Sequence, residues 1–579
     1  MATLEDKRHT LAHLLAAAVL ELYPDAKRTI GPAIDDGFYF DFEFPTRKPS
    51  ENDLARIEET MRDILPTWTK FTRSERTAEE AKAEYPENPY KHELIDEFTK
   101  DGQTVSFYTS GAYTDLCRGG HADNPAQEIA PDSFTLSRIA GAYWRGDEKN
   151  AMLTRIYGLA FDTKEELDAY QAQQEEAKKR DHRKLGKELD LFTFSEMVGS
   201  GMPLFTPRGT TVRTEIVNYS RELNVKLGFG EVHTPNVNKA ELFKTSGHYD
   251  QYKEDMLLVR SQYVADEMFL KPMNCPQHTQ IYASQPRSYR DLPIRYADFA
   301  VLYRDERPGE LSGLTRLRAF SQDDGHIFCR EDQVKEELLK VLDAIKEALA
   351  TYRITYWIRL SLRDPAKKEK YLGSDEDWAR SEGELRDILE TSGVEFKPAE
   401  GEAAFYGPKL DIMAVDALGR QWQISTIQVD RAQPSRFALE YIADDGSRQT
   451  PVMIHRALVG SPDRFLGILL EHYGGAFPAW LAPEQVRVLP VSNKHSEYGA
   501  TVRDALTAAG VRASLDDTES LGKRIRNAKQ EKVPYALVIG DAEVEAKTVS
   551  VESRNEGKLD AMSVEDFIAR VSQEIKDRK

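Results

Sequence analysis

Cys275, His326 and His455 lie far apart in this chain, and together they constrain its fold more than any other feature. Each sits in a segment whose neighbours suit a site better than a core: KPMNCPQH, FSQDDGHIFC and PVMIHRALVGSPDRF. A lone buried cysteine or histidine is usually a satisfied core residue. One thiolate with two imidazoles, however, makes a Zn²⁺ set with an open fourth position, the arrangement of a working zinc rather than a structural one. If the three bind one ion, the fold must bring three distant segments to one point. Arg304 and Glu306 precede His326, and Arg464 follows His455. That combination points to a metal holding a substrate beside ATP.

At 579 residues the chain needs three or four domains. Its 40% hydrophobic and 30% charged residues are ordinary for a soluble protein. No apolar run is long enough to cross a bilayer, and MATLEDKRHTLAHLL lacks the pattern of a signal peptide. Three scattered cysteines make no disulfide framework, so a reducing cytoplasm is the expected compartment. A net charge of -19 argues against indiscriminate coating of nucleic acid. Two basic runs, KKRDHRKLGK (178–187) and KRIRNAKQEK (523–532), leave room for a grip on one RNA, although such runs are commonly just solvated helix faces.

The expected fold class is multidomain α+β. The region 1–162 opens with helical spacing in HTLAHLLAAAVLELY and turns to strands at DDGFYFDFEF. Residues 163–186 read as a polar linker helix with a thin apolar stripe. Region 187–480 mixes strands (YRITYWIRLSL, RQWQISTIQV) with helices such as DQVKEELLKVLDAIKEALATY. Region 481–579 alternates strand, helix, strand, helix, strand. Within YRDERPGELSGLTRLRAFSQDD, a strand, a Gly/Pro-rich loop and a second strand carrying Arg316, Arg318 and Phe320 would form a hairpin. There Arg304 and Arg316 suit phosphate, Glu306 an adenine amino group and Phe320 the base.

GEVHTP, this hairpin and VGSPDRFLGILLEH resemble the three signature motifs of class II aminoacyl-tRNA synthetases. The Cys275–His326–His455 set, FYGPKLD and QWQISTIQVD resemble the threonyl-tRNA synthetases in particular. The resemblance implies an antiparallel catalytic sheet that binds ATP with Mg²⁺ and joins threonine to tRNA(Thr), working as a homodimer with no membrane. It implies Arg304, Arg464 and Lys409 as catalytic groups. It implies that Arg304, Glu306, Arg316, Phe320, Gln423, Thr426 and Arg464 hold ATP. It gives threonine to Met273, Gln322, Asp324, Tyr406 and Gln428, with the Zn²⁺ taking its amino group and hydroxyl. A site that engages a hydroxyl separates threonine from valine by about 10⁴–10⁵, which an apolar pocket cannot do.

Serine carries the same two groups and lacks only a methyl, worth about 1–3 kcal/mol. A second, hydrolytic site is therefore needed. His9 and His13 fall on one face of a helix, and Cys117 and His121 are also four apart. With Lys91 and Asp115 they resemble the editing domain of the same family, which would clear seryl-tRNA with an oriented water and no permanent metal. The last region resembles an anticodon-binding domain, with Glu543 as a reader. Thr518 and Glu552 stand where Asn and Arg are usual, and Arg554 is a candidate substitute. The chain starts at the editing region, as expected of a form without the further small N-terminal domain of many relatives. Two alternatives remain at this point: an editing hydrolase, or a regulator that binds tRNA-like RNA, either with an inactive synthetase body.

Overall fold

The apolar opening forms the helix Leu4–Leu22, started by a reciprocal capping box between Thr3 and Asp6. The computed structural model describes residues 2–100 and 102–579, and it divides into two units, Met1–Glu175 and Glu176–Lys579. In the first, the helix buries Leu11, Leu14, Leu15 and Val19 against the aromatic face of the strand Gly37–Glu43. That strand lies in an antiparallel sheet with Lys27–Arg28, Met152–Ala160 and Phe134–Tyr143. A separate small sheet, Thr72–Arg76, Val105–Ser110 and Tyr113–Leu116, carries Asp115 and delivers the chain to Cys117. The helix Pro89–Phe98, capped by Asn88, carries Lys91.

The polar stretch expected as one linker helix is two helices. Lys164–Arg180 buries only Leu167. Asp181 then restarts the chain as the N-cap of His182–Glu188, its carboxylate accepting from the Arg183 N–H at 2.8 Å.

The second unit is built on an eight-stranded sheet. Its order is Gly230–Glu231, Ile294–Asp298, Asp324–Cys329, Val452–Ala457, Gln421–Asp430, Lys409–Val415, Thr355–Leu362 and Phe396–Glu400. The inner strands run antiparallel, and only the two edge pairs are parallel. The helix Val334–Thr351 repeats apolar residues at helical spacing (Val334, Leu338, Val341, Leu342, Ile345, Leu349) and buries that stripe in the main core. The C-terminal region pairs Ala513–Leu515, Val486–Pro490 and Tyr535–Ile539 in parallel and adds Thr548–Ser553 antiparallel. The expected strand and helix alternation is present there.

One expectation is corrected. The hairpin strands are short, Val301–Tyr303 and Ala319–Ser321, so Arg316 and Arg318 belong to the loop and not to a strand. The loop has its own fastenings. The Arg304 N–H donates to the Arg318 carbonyl at 2.9 Å, and the Arg318 guanidinium donates twice to the Glu306 carbonyl at 2.9 and 2.8 Å. Pairing through side chains replaces the ladder where Pro308 and Gly309 interrupt it.

Candidate functional site

Sheet register explains how distant residues converge. Tyr296 pairs with His326, His326 with His455, His455 with Gln428, and Gln428 with Lys409. Residues directly opposite in neighbouring strands put their side chains on the same face, so this row lies across one face of the sheet. Cys275 comes from outside the sheet, as the first residue of the helix Cys275–Ala283. Its sulfur and one nitrogen of each histidine lie within 4.8 Å of one another, and all three residues are buried.

A carboxylate fixes which nitrogen of His455 faces this point, and His278 stands behind His326. Asp430 Oδ2 is 2.9 Å from His455 Nε2, so Nε2 carries the proton and Nδ1 is left with a lone pair. His326 Nδ1 lies 2.8 Å from His278 Nδ1, while Asp298 sits 3.9 Å beyond the far side of His278. With His278 accepting, His326 Nε2 also has a free lone pair. In that tautomer the two lone pairs face each other at 3.0 Å. Two nitrogens bound at about 2.0–2.1 Å to one tetrahedral ion stand roughly 3.3 Å apart. The donor set therefore fits a cation, which would turn a repulsion into two bonds. Burial holds His326 neutral, the form that ligates. Burial, then Asp324 and Asp430, push the Cys275 thiol far up, so its deprotonation needs a nearby cation.

Asp430 and His278 were not anticipated from the sequence, though both left a signal. His278 follows Cys275 by three residues on a helix, and Asp430 follows Gln428 by two on a strand. Partners of this kind typically contribute 10–100-fold in metal affinity. Asp430→Asn is expected to weaken metal binding by about that factor, as read by chelator competition.

The same sheet face continues into a cavity of about 460 Å³. Ala457 is two residues beyond His455 and Thr426 two before Gln428; they pair with each other, and both line the cavity. Two strand residues span about 7 Å, so the metal-type site and the cavity adjoin. Arg304, Glu306, Arg316, Phe320, Gln322, Gln423 and Arg464 line it too. Arg304 lies over the Phe320 ring at 5.2 Å. Arg316 pairs with Glu306 at 2.8 Å and Glu310 at 2.9 Å. Burial lowers the Arg464 pKa, and the neighbouring Arg304 and Arg316 lower it further. The buried Nε of Arg464 has no hydrogen-bond partner. Converging cations with an unmet donor are built for an anion.

Lys409, Gln423 and Thr426 meet on Asp411, another residue the sequence reading missed, at 3.0, 2.8 and 3.3 Å. Between cavity and metal-type site, the Tyr406 hydroxyl donates to Gln428 Oε1 at 2.5 Å, and its ring stacks on His455 at 4.8 Å. Asp324 accepts from Asn274 at 3.1 Å, and burial raises its pKa. Met273 is half-buried beside the Cys275 cluster.

In the N-terminal unit, His9, His13, Cys117 and His121 place their ligand-type atoms within 4.8 Å of one another. Beneath them Asp115 is fully buried. It pairs with Lys91 at 2.8 Å and lies 3.5 Å from Arg28 and 3.7 Å from His13, while Tyr85 and Tyr113 donate to it at 2.6 and 2.8 Å. Burial alone would raise the Asp115 pKa, but Lys91, Arg28 and His13 outweigh it. A cavity of about 720 Å³ opens above, lined by His9, His13, Lys91, Asp115 and Cys117.

In the C-terminal domain the Glu543 carboxylate accepts from the Gly540 N–H at 2.8 Å and the Ser550 hydroxyl at 2.7 Å. Arg554 donates to the carbonyls of Lys532 at 2.5 Å and Phe477 at 2.6 Å, tying this region to the segment that precedes it. Among the described residues, no helix is long and apolar enough to cross a membrane.

Residues 258–473 match the family model of the tRNA synthetase class II core domain (G, H, P, S and T), and residues 485–574 match that of the anticodon binding domain. A threonine–tRNA ligase of Rubrobacter xylanophilus is 50% identical over 577 residues, spanning 99% of this chain and 89% of that protein. One from Gloeobacter violaceus is 48% identical, spanning 99% and 92%. A crystal structure described as the RNA binding domain of threonyl-tRNA synthetase from Cryptosporidium parvum superposes with a TM-score of 0.65 at 40% identity, covering 68% of this chain and 98% of that one. Identity of this level over nearly the whole length goes beyond likeness of fold, and the chain belongs to the threonine–tRNA ligase family of class II aminoacyl-tRNA synthetases.

Proposed function

We propose that the catalytic unit binds ATP, as its Mg²⁺ complex, in the cavity beside Arg304 and Arg464, and holds threonine across Cys275, His326 and His455. Those three residues would carry a Zn²⁺, which when bound supplies a Lewis acid able to engage the amino group and the hydroxyl of threonine. Arg304 would bind both the threonine carboxylate and the α-phosphate. Arg316 and Arg464 face the outer phosphates, and Phe320 offers its ring to the base. Gln322, Tyr406, Gln428, Met273 and Asp324 wall the amino-acid side, with Asp324 the acceptor for the hydroxyl's hydrogen bond. Lys409, Gln423 and Thr426 form one polar network through Asp411 at the nucleotide side. The protein's contribution is position and charge, since the carboxylate itself attacks the α-phosphate and pyrophosphate leaves. The threonyl group then passes to the terminal ribose of tRNA(Thr).

The N-terminal cavity would hydrolyse seryl-tRNA, with His9 and Lys91 positioning water. The C-terminal domain would hold the anticodon arm, with Glu543 near the bases and Arg554 acting as an interdomain clasp. The assignment extends to a symmetric homodimer working in the cytoplasm. The single observation behind the reading is the row His326–His455–Gln428, which shares a sheet face with the cation-lined cavity. The test is ATP–pyrophosphate exchange with metal analysis. Threonine is expected to support exchange, valine about 10⁴–10⁵-fold less, and a zinc-selective chelator with Mg²⁺ in excess is expected to abolish it. Comparable rates with valine, or exchange indifferent to chelation, would overturn the reading.

A further inference from the structure

The basic stretch KKRDHRKLGK conceals one buried imidazole. His182 is 4% exposed, and all three of its nitrogens are engaged. Its N–H and its Nδ1 both reach Glu471 Oε1, at 3.0 and 2.6 Å. Its Nε2 accepts from the Leu314 N–H at 2.9 Å. A nitrogen that accepts from an amide carries no proton, so the ring is fixed as the Nδ1–H tautomer. The other oxygen of Glu471 takes the Arg420 guanidinium.

What this imidazole holds is the loop beside the cavity. Gly313 has φ +48, and a Cβ there would lie 2.1 Å from His182 Nε2, so the chain passes the ring with no room to spare. The next residues form a tight turn in which the N–H groups of Thr315 and Arg316 donate to the Ser312 carbonyl at 2.9 and 3.3 Å. Leu314, Thr315 and Arg316 all line the cavity. On the other side, Glu471 belongs to the helix Pro462–His472, which also carries Arg464. A single side chain thus ties the turn presenting Arg316 to the helix presenting Arg464.

We propose that His182 is a positioning residue for ATP: it sets the spacing between Arg316 and Arg464 and so governs nucleotide binding without touching the nucleotide. The inference rests on the assignment of this cavity to ATP. His182→Asn keeps an amide donor near Glu471 but removes the acceptor for Leu314. In threonine-dependent exchange its KM for ATP is expected to rise about three- to tenfold, the range of one lost hydrogen bond, with the KM for threonine and the metal content unchanged. His182→Gln, which extends an amide oxygen towards Leu314, recovers part of the loss. Glu471→Gln keeps the volume, weakens the grip on the imidazole and gives a smaller ATP-selective rise, a readout that serves even if the histidine variant does not fold. Equal effects on both substrates, a change only in the active fraction, or an unaltered KM for ATP would overturn the proposal. Arg464→Ala separates the two readings: if it too leaves ATP use unaltered, the cavity assignment fails as well.

Discussion

Cys275→Ala is expected to release the metal and to lower threonine-dependent exchange by at least about 10³-fold, while ATP affinity stays within about twofold. The asymmetry follows from where the sulfur sits. Cys275 belongs to the buried cluster with His326 and His455 and does not line the cavity proposed for ATP. Its sulfur supplies the only anionic ligand of that set, and two neutral imidazoles alone bind a dication far less tightly. Loss of the ion leaves His326 Nε2 and His455 Nδ1 3.0 Å apart, a distance at which a neutral change of tautomer lets one ring donate to the other. Burial strongly opposes protonation of His326. Without the thiolate the pocket keeps only two neutral nitrogen donors, and added zinc is not expected to rescue the variant. Inductively coupled plasma analysis and exchange kinetics on one preparation measure both effects. Full metal content with normal exchange would remove the assignment of this cluster.

The sequence exposed the parts of this site that are unusual by residue type and hid those that are ordinary. A cysteine and two histidines set among Gly, Pro and Asp stood out, and register later put His326 and His455 opposite each other. Asp430, Asp411 and His278 did not stand out, because each acts through another side chain and its role exists only in three dimensions. The hairpin was legible as strand, loop and strand, but its length was not. Arg316 and Arg318 looked like strand residues, whereas Glu306 and its carbonyl capture them in the loop. Arg554 carries a contact that the sequence did not announce. Its charge and position suited a reader of bases, yet two backbone carbonyls already occupy its guanidinium. In the basic run 178–187 the charges left room for an RNA grip or a solvated face, and a buried member, His182, was the informative one. Burial of a single side chain depends on packing partners distant in sequence, which a local charge pattern does not record.

His9→Ala is expected to leave threonine activation within about twofold and to let seryl-tRNA accumulate. His9 belongs to the N-terminal unit, separate from the unit that holds the catalytic sheet. Its Nδ1 is 2.9 Å from the Gly120 carbonyl and must carry the proton, so the Nε2 lone pair faces Cys117 Sγ at 3.5 Å and the cavity. Burial lowers its pKa, and burial with the neighbouring His9 pushes His121 down to about 3. Neutral imidazoles whose lone pairs face the cavity can orient a water and accept its proton. Lys91, held by Asp115, supplies the positive charge beside them. The scale of the defect follows from the missing methyl of serine, about 1–3 kcal/mol. Without clearance, serine should be charged at roughly one part in 10 to 200 relative to threonine at equal concentration. A deacylation assay with seryl-tRNA reads the loss directly. In the wild type, the lowered His9 pKa keeps the base form populated as pH falls, so clearance should stay flat down to about pH 6.5, the ordinary histidine value. Normal clearance by the variant would take hydrolysis away from this cluster, and a decline centred near that pH would mean that His9 titrates as an exposed histidine.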